Sequence, residues 1–538
     1  MLLHPSLPVV TRCAGSGHFT LGRVEGALAC RGGGCSIKVF HLPVAPVDEG
    51  KGTQWFMHRP CLCNTLSALI GRVGRCVPPP NVDALKSQLS VIVDVMATHV
   101  GKHAAVPYEK VYSGMPAKKR ARYARAHQKL TESGGFCGRR DARISMFVKL
   151  EAIKYDSRKV NPDCRAIQFR TPEFTLQLAS SIKVAEHRLY DLSDIPGFGP
   201  GRLFAKNLNQ RAKARELRVK YEYIVGCHIL CLDASRFDAH CAYDTLDLVE
   251  HRFWRQTCLA KQLPELLRWQ LVNRGMWRGK DGQSVKYTTR GGRMSGDANT
   301  AGGNCIIMAS MLKAFGDHFK RKFTFLCDGD DSVFFHDGEP ITDEEVKGFF
   351  IQFGFVMEVE DRPTCLEQTT FCQARPVTVA DGEVMIRDPM KILSKTTVSH
   401  KLQQPAIRGK YIKTVALGEL SISRGCPVIQ PYLVALIRNC EKFISKAQKA
   451  KGEVYDWAVE ENYRLRSLLP RDWKSGRTLE ITAEARLSFS RAWGIPVERQ
   501  VAIERTLESW QFDLGKAVDG GDWDVLKWLP PVFQPEAW

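Results

Sequence analysis

The sequence predicts an α+β protein built around an antiparallel hairpin with an acidic tip. Two apolar runs, Phe323-Thr-Phe-Leu-Cys327 and Ser332-Val-Phe-Phe335, flank Asp328-Gly-Asp-Asp331, the pattern of two strands joined by an acidic turn. A further apolar stretch ending in Ile229-Leu-Cys-Leu232 sets Asp233 at the C-terminal end of a strand. Between these lies Ala298 to Phe315, small, apolar and free of proline, as a buried helix requires.

Taken in order, residues 1–115 are rich in Gly, Pro and Cys and show clear periodicity only from Val82 to Val100. They read as an N-terminal extension, with turn or linker sites at Gly32-Gly-Gly34 and Pro78-Pro-Pro80. Residues 116–222 form a basic segment interrupted by the loop Pro196-Gly-Phe-Gly-Pro-Gly201. Residues 223–388 carry the acidic strands. Within them Leu246, Val249 and Phe253 mark the apolar face of a helix, and two β-patterned runs around Asp381-Gly382 predict a hairpin. From Pro389 to the end, patterns such as Tyr432 to Phe443 and Ala483 to Trp493 predict mainly helix. Trp510, Trp523, Trp528 and Trp538, set among prolines, read as packing residues.

An isolated Gly-Asp-Asp is ordinary turn chemistry. Two strand-end carboxylate sites with a Ser-Gly-x-x-x-Thr segment between them are far more specific. Attack of a 3′-hydroxyl on an α-phosphorus builds charge on the attacking and leaving oxygens, which two divalent ions roughly 3.5–4 Å apart stabilise together. Asp233 and Asp330 form the natural metal pair, with Asp331 in support. Ser295-Gly296 reads as a flexible loop; Thr300 and Asn304, four residues apart, share a helical face and suit a ribose hydroxyl. Asp238 is placed to accept from the same hydroxyl and to orient Asn304.

Asp233-Ala-Ser-Arg-Phe-Asp-Ala-His240, Arg293-Met-Ser-Gly-Asp-Ala-Asn-Thr300 with Asn304, and Cys327-Asp-Gly-Asp-Asp-Ser332 resemble motifs A, B and C of viral RNA-dependent RNA polymerases. The wording is closest to the tombusvirus and carmovirus-like group. Phe147-Val-Lys-Leu-Glu151 and Cys164-Arg-Ala-Ile-Gln-Phe-Arg170 are similar to the basic motif that meets the incoming triphosphate. Lys206-Asn-Leu-Asn209 is similar to that group's Lys-Gly-Leu-Asn block, with Asn207 in place of Gly. Phe371-Cys-Gln-Ala-Arg-Pro-Val377 resembles the strand supporting the nascent 3′ end.

The resemblance, over about residues 145 to 400, implies a right-hand polymerase fold. Residues 116–222 would be fingers, 223–388 the palm with inserted finger segments and an antiparallel sheet, and 389–538 a mainly helical thumb and tail. It implies RNA-templated RNA synthesis from NTPs by a two-metal mechanism, with Mg²⁺ as cofactor and Mn²⁺ as substitute, in replication of a positive-strand RNA genome. Asp233, Asp330 and Asp331 would serve the metals, and Asp238, Ser295, Thr300 and Asn304 would select ribonucleotides. Lys149, Lys159, Arg165 and Arg170 would neutralise the triphosphate. A general acid is expected within Val346 to Glu360, where the only lysine, Lys347, sits too early to be assigned the role. Implied partners are the viral RNA template, the nascent strand and a membrane-anchored viral replication protein, in membrane-associated complexes of the host cytoplasm.

The net charge of +19, from 77 Lys and Arg against 58 Asp and Glu, favours a polyanionic partner. One basic stretch runs from Lys118 to Arg143 and another from Arg202 through Lys206, Arg211, Lys213, Arg215 and Arg218 to Lys220; both read as lining an RNA or substrate channel. The 18 cysteines are scattered, not framework-spaced, and no C-x₂-C pair of the zinc-finger kind occurs. No apolar run is long enough to span a bilayer, and no signal peptide is recognisable. A reverse transcriptase would carry an aromatic and a variable residue where this chain has Asp328-Gly329, and would lack the ribose set. A basic structural protein would use the acidic segments only as turns, and a metal-dependent nuclease would shorten strands instead of extending them.

Overall fold

Alternation along three short runs decides the centre of the molecule. Leu230, Leu232, Phe325, Cys327 and Phe334 belong to one apolar core; Ile229, Cys231, Leu326, Val333 and Phe335 belong to another. A period of two shared between two cores describes a sheet buried on both faces. In the computed structural model, which describes residues 18–26, 36–38, 40–41, 55–151, 153–154, 164–280, 282–396, 407–444, 469–511 and 518–519, that sheet has four antiparallel strands. Their order is Phe323–Asp328, Asp331–His336, His228–Ala234 and Met357–Asp361.

One face of the sheet is covered by the helix Thr300–Phe319, buried along nearly its whole length. Its Phe315 ring meets Phe334, Phe349 and Phe350 at centroid distances of 5.1, 5.2 and 5.0 Å, within the favourable range for aromatic pairs. The helical run from Val82 to Val100 and the helix Pro172–Tyr190 complete this core. Gly303 has to be glycine, because a Cβ there would collide with the Glu250 carboxyl. On the opposite face Ala214 and Leu217 of the helix Gln210–Tyr223 pack with Phe371, Ala374 and Met385.

A second sheet of five strands runs Phe19–Glu25, Ser284–Arg290, Val272–Arg278, Ile144–Val148 and Ala166–Phe169. All its pairs are antiparallel except Ile144–Val148 with Val272–Arg278, which is parallel. Phe19, Leu21, Leu62 and Leu66 share a core with Ile144, Met146, Trp277 and Tyr287, so the described part of the first 115 residues is woven into the cores that follow.

The hairpin Ala374–Val379 with Gly382–Arg387 divides its side chains. Ala374 and Met385 join the central sheet, while Val377, Val379, Val384 and Ile386 join a core built with the helices Arg408–Ile422, Ile429–Glu441, Ala483–Trp493 and Val497–Ser509. Trp510 stacks on Tyr432 at 5.9 Å, as its reading as a packing residue requires. Trp523, Trp528, Trp538 and Gly32 to Gly34 lie outside the described residues. No helix among the described residues is long and apolar enough to cross a membrane.

Candidate active site

The acidic turn is set by Gly329, whose φ of +87° lies in the left-handed region open to glycine. Asp328 pairs with Asp331 across the hairpin, leaving Gly329 and Asp330 as the two central residues of the turn. Ser332 is in register with Leu232, so one step toward the turn brings Asp331 beside Asp233. Across the other edge of the same strand, Asp233 is in register with Glu358. Carboxylates therefore crowd one end of the sheet. Burial, with Asp330, Glu360, Asp331 and Glu358 nearby, pushes Asp233 up to about 7. Burial, with Asp330, Asp328 and Glu360, pushes Asp331 up to about 6.

Asp328 is treated differently. Burial would raise its carboxyl, but Lys206, in direct ion pair, and Lys213, 2.8 Å away, outweigh burial and hold it at about 2. Cys372 Sγ donates to the same carboxylate at 3.4 Å. The protein thus neutralises Asp328 internally and leaves Asp233, Asp330 and Asp331 repelling one another. Among the described residues no three Asp, Glu, His or Cys side chains converge into a metal cage by themselves. Mg²⁺ needs no such cage, since it takes a few carboxylates and completes its shell with water and phosphate. Hard oxygen donors whose charged forms are mutually penalised fit such an ion.

The Ser295-Gly296 loop is tied to the strand Ala166–Phe169. Gly296 N donates to Gln168 O at 2.7 Å, and Ser295 Oγ lies 3.4 Å from both Gln168 N and Ala166 O. Thr300 Oγ1 donates to Met294 O at 2.7 Å, closing the loop onto the helix start. Asn304 is one turn on, and a Cβ on Gly329 would lie 3.8 Å from its Cβ, so this helix face does meet the hairpin tip.

The sequence reading gave Asp238 the task of orienting Asn304; the structure gives it to Arg293. Arg293 Nε donates to Asn304 Oδ1 at 2.8 Å, leaving the Asn304 amide nitrogen with no partner among the described residues. Arg293 is paired in turn with Glu250 at 2.5 Å, their side chains 4% and 0% exposed. Glu250 also accepts from Asn299 at 2.6 Å and Trp254 at 3.1 Å. Asp238 supplies its backbone carbonyl to Arg293 N at 2.8 Å. Asp238 opens to solvent, yet the protein crowded around its carboxyl raises it to about 6, which Arg293 opposes and Asp330 reinforces.

The basic residues separate into two groups. Lys149 and Arg165 both face Glu151, at 2.8 and 3.4 Å, and the field of Arg165 reaches Asp238. Lys159 lies outside the described residues. Arg170 has a different place from the one the resemblance implies. It is buried, with Nε on Asp297 at 2.9 Å, Nη1 on the Ala142 carbonyl at 2.5 Å and Nη2 on Asn273 at 2.6 Å. Its fork is spent on holding the loop. The stretch from Arg202 to Lys220 is largely paired with acids of the same chain. Beyond the two lysines on Asp328, Arg202 pairs with Asp191, Arg211 with Asp381 and Arg218 with Glu383, and buried Lys220 donates to the Pro200 carbonyl at 2.9 Å. Most of this charge is thus met within the chain, and Arg215 is the residue of the stretch left exposed.

Several site residues had no assignment in the sequence. Arg293 stood inside a recognised block without a role, and Glu250 gave no signal at all. Glu358 and Glu360 alternate along the strand Met357–Asp361 and could have been noticed by that period. Lys347 is exposed on the helix Asp343–Ile351.

Comparison with known proteins agrees with the geometry. The sequence profile described as viral RNA dependent RNA polymerase matches residues 49–515. The chain is 30% identical over 489 residues to the RNA-directed RNA polymerase of Turnip crinkle virus, covering 88% of this chain and 60% of that protein. It is 30% identical to that of Melon necrotic spot virus, covering 82% and 53%, and 28% identical to that of Tomato bushy stunt virus, covering 86% and 55%. The chain therefore spans somewhat more than half the length of these relatives. A match of this extent takes in the Asp233 strand, the Ser295 loop and the Asp330 hairpin together, and the chain belongs to the viral RNA-dependent RNA polymerase family.

Proposed function

We propose that this chain synthesises RNA on an RNA template from NTPs, releasing pyrophosphate, in the replication of a positive-strand RNA virus. The observation that carries the reading is the meeting of Asp233, Asp330 and Asp331 with Asn304 at one hairpin tip. In this reading residues 116–222 are fingers, 223–388 palm and 389–538 thumb and tail, and the partners are template, nascent strand and a membrane-anchored replication protein.

Asp233 and Asp330 would hold Mg²⁺, or Mn²⁺ in its place, with Asp331 in support. The bound ions would stabilise charge on the attacking and leaving oxygens of phosphoryl transfer. The remaining work falls to the chain's own groups. Lys149 and Arg165, held by Glu151, present positive charge for the triphosphate. Asp238 accepts from the 2′-hydroxyl and the Asn304 amide donates to it, while Ser295 and Thr300 fix the loop that leads into the Asn304 helix. Lys206 and Lys213 keep Asp328 from adding a further free charge beside the metal carboxylates.

The test is primer extension by the purified chain on an RNA template, with and without Mg²⁺. Extension should require the ion and fall to background in Asp330→Ala, while RNA binding persists. Normal synthesis by Asp330→Ala would sink the metal assignment, and strand shortening would make the protein a nuclease.

A further inference from the structure

Away from the acidic turn, a cavity of about 470 Å³ is walled by Arg139, Arg140, Arg143 and Arg274. All four are exposed, and none has a carboxylate partner among the described residues. A fifth, Arg268, lines the same cavity and is paired with Glu265 at 3.1 Å. Four uncompensated guanidinium groups around one concavity repel one another, and a ligand that brings negative charge relieves that repulsion. Guanidinium forks match phosphate oxygens two at a time, which a diffuse counter-ion does not need.

The rest of the lining is not basic. Trp269 and Tyr243 contribute aromatic surface, and the Arg290 guanidinium already lies over the Tyr243 ring at 4.1 Å. Aromatic faces among arginines suit a base that stacks while its phosphates are held. The volume falls in the range of small-ligand sites, roughly 300–1,000 Å³.

The cavity is distinct from the acidic centre, since none of Asp233, Asp238, Asp330 and Asp331 lines it. It is nevertheless one layer away. Ala142, in its wall, accepts from Arg170, whose other nitrogens hold Asp297 and Asn273, and Asn273 follows the wall residue Val272.

We propose that this arginine cleft is a second phosphate-binding site, taking consecutive phosphates with an attached base, from a single-stranded RNA segment or a free nucleoside triphosphate. Binding needs no divalent ion. The test uses the full chain in EDTA, which silences metal-dependent binding at the acidic centre, with a labelled RNA 12-mer in one arm and ATP in the other. Arg140→Ala/Arg143→Ala should weaken binding about tenfold and, in the RNA arm, flatten the salt dependence by about 1.4 in log–log slope for two lost phosphate contacts. Arg140→Lys/Arg143→Lys keeps the charge, loses the forks and should fall between the two. A Lys86→Ala/Lys442→Ala protein removes the same charge from exposed positions outside the cleft and outside both basic stretches, and serves as the control. Loss confined to the RNA arm assigns the site to a strand; loss in the ATP arm assigns it to a nucleotide. If the cleft variants bind both probes as tightly as the control protein does, with melting temperatures unchanged, the proposal is overturned. Because these readouts involve no synthesis, the result stands whether or not the acidic centre polymerises.

Discussion

Asn304 holds one hydrogen bond and offers another. Its carbonyl is taken by Arg293, which leaves the amide nitrogen as a donor with no partner among the described residues, on a side chain whose Cβ lies against Gly329. A site built to bond a hydroxyl rejects the substrate that lacks it, because its polar groups are then left unpaired. Asn304→Ala and Asp238→Ala should therefore lower NTP efficiency more than dNTP efficiency, narrowing their ratio by about tenfold, the worth of one such bond. Arg293→Lys should do the same without touching substrate, since it keeps a charge against Glu250 but loses the fork that reaches both partners. Steady-state kinetics with paired NTP and dNTP substrates measures this; a ratio equal to the parent's in all three variants refutes the sugar reading. The helical spacing of Thr300 and Asn304 was legible in the sequence because period 3.6 is local. The partner of Asn304 was not, because Arg293 approaches from the far side of a loop whose path only packing decides.

Between Lys206 and Asn209 the backbone turns through Asn207, whose φ is +65°. Asparagine tolerates that left-handed region better than most residues, and glycine better still, which accounts for the glycine in the similar block of the tombusvirus-like group. Asn207→Gly should leave the melting temperature within a degree or two of the parent, whereas Asn207→Val should cost about 1–2 kcal/mol and loosen the Lys206 grip on Asp328. Equal melting curves for the two variants would show that the turn is not strained. Hairpins and helices at this scale followed from apolar periodicity, and the helix at Ala483–Trp493 has the bounds its pattern gave. What each basic residue would meet did not follow. Arg211 and Arg218 find acids at Asp381 and Glu383, more than 160 positions away, and a run of charge carries no mark of such partners.

The unbalanced carboxylates act on the stability of the whole chain. Asp233 and Asp331 have folded values of about 7 and 6 against an ordinary 3.8, so between about pH 4 and 7 the folded state binds more protons than the unfolded state. Stability from these groups is therefore greatest at the acid end of that window and is lost as pH rises through it. Asp328, held at about 2, acts with the opposite sign, but only below the same window. Metal-free Asp233→Asn should melt above the parent at pH 7.5, an advantage that shrinks toward pH 5, and Mg²⁺ should raise the parent's Tm more at pH 7.5 than at pH 5.5. A Mg²⁺ shift independent of pH would contradict the arrangement. The Arg170–Asp297 pair sets a different kind of demand, one of timing. Its members are separated by 127 positions, and ribosomes add about 5–20 residues per second, so Arg170 is made roughly 6–25 s before its carboxylate exists. The buried pairing of Arg170 cannot form before that carboxylate is made, so the loop it anchors is completed late in synthesis.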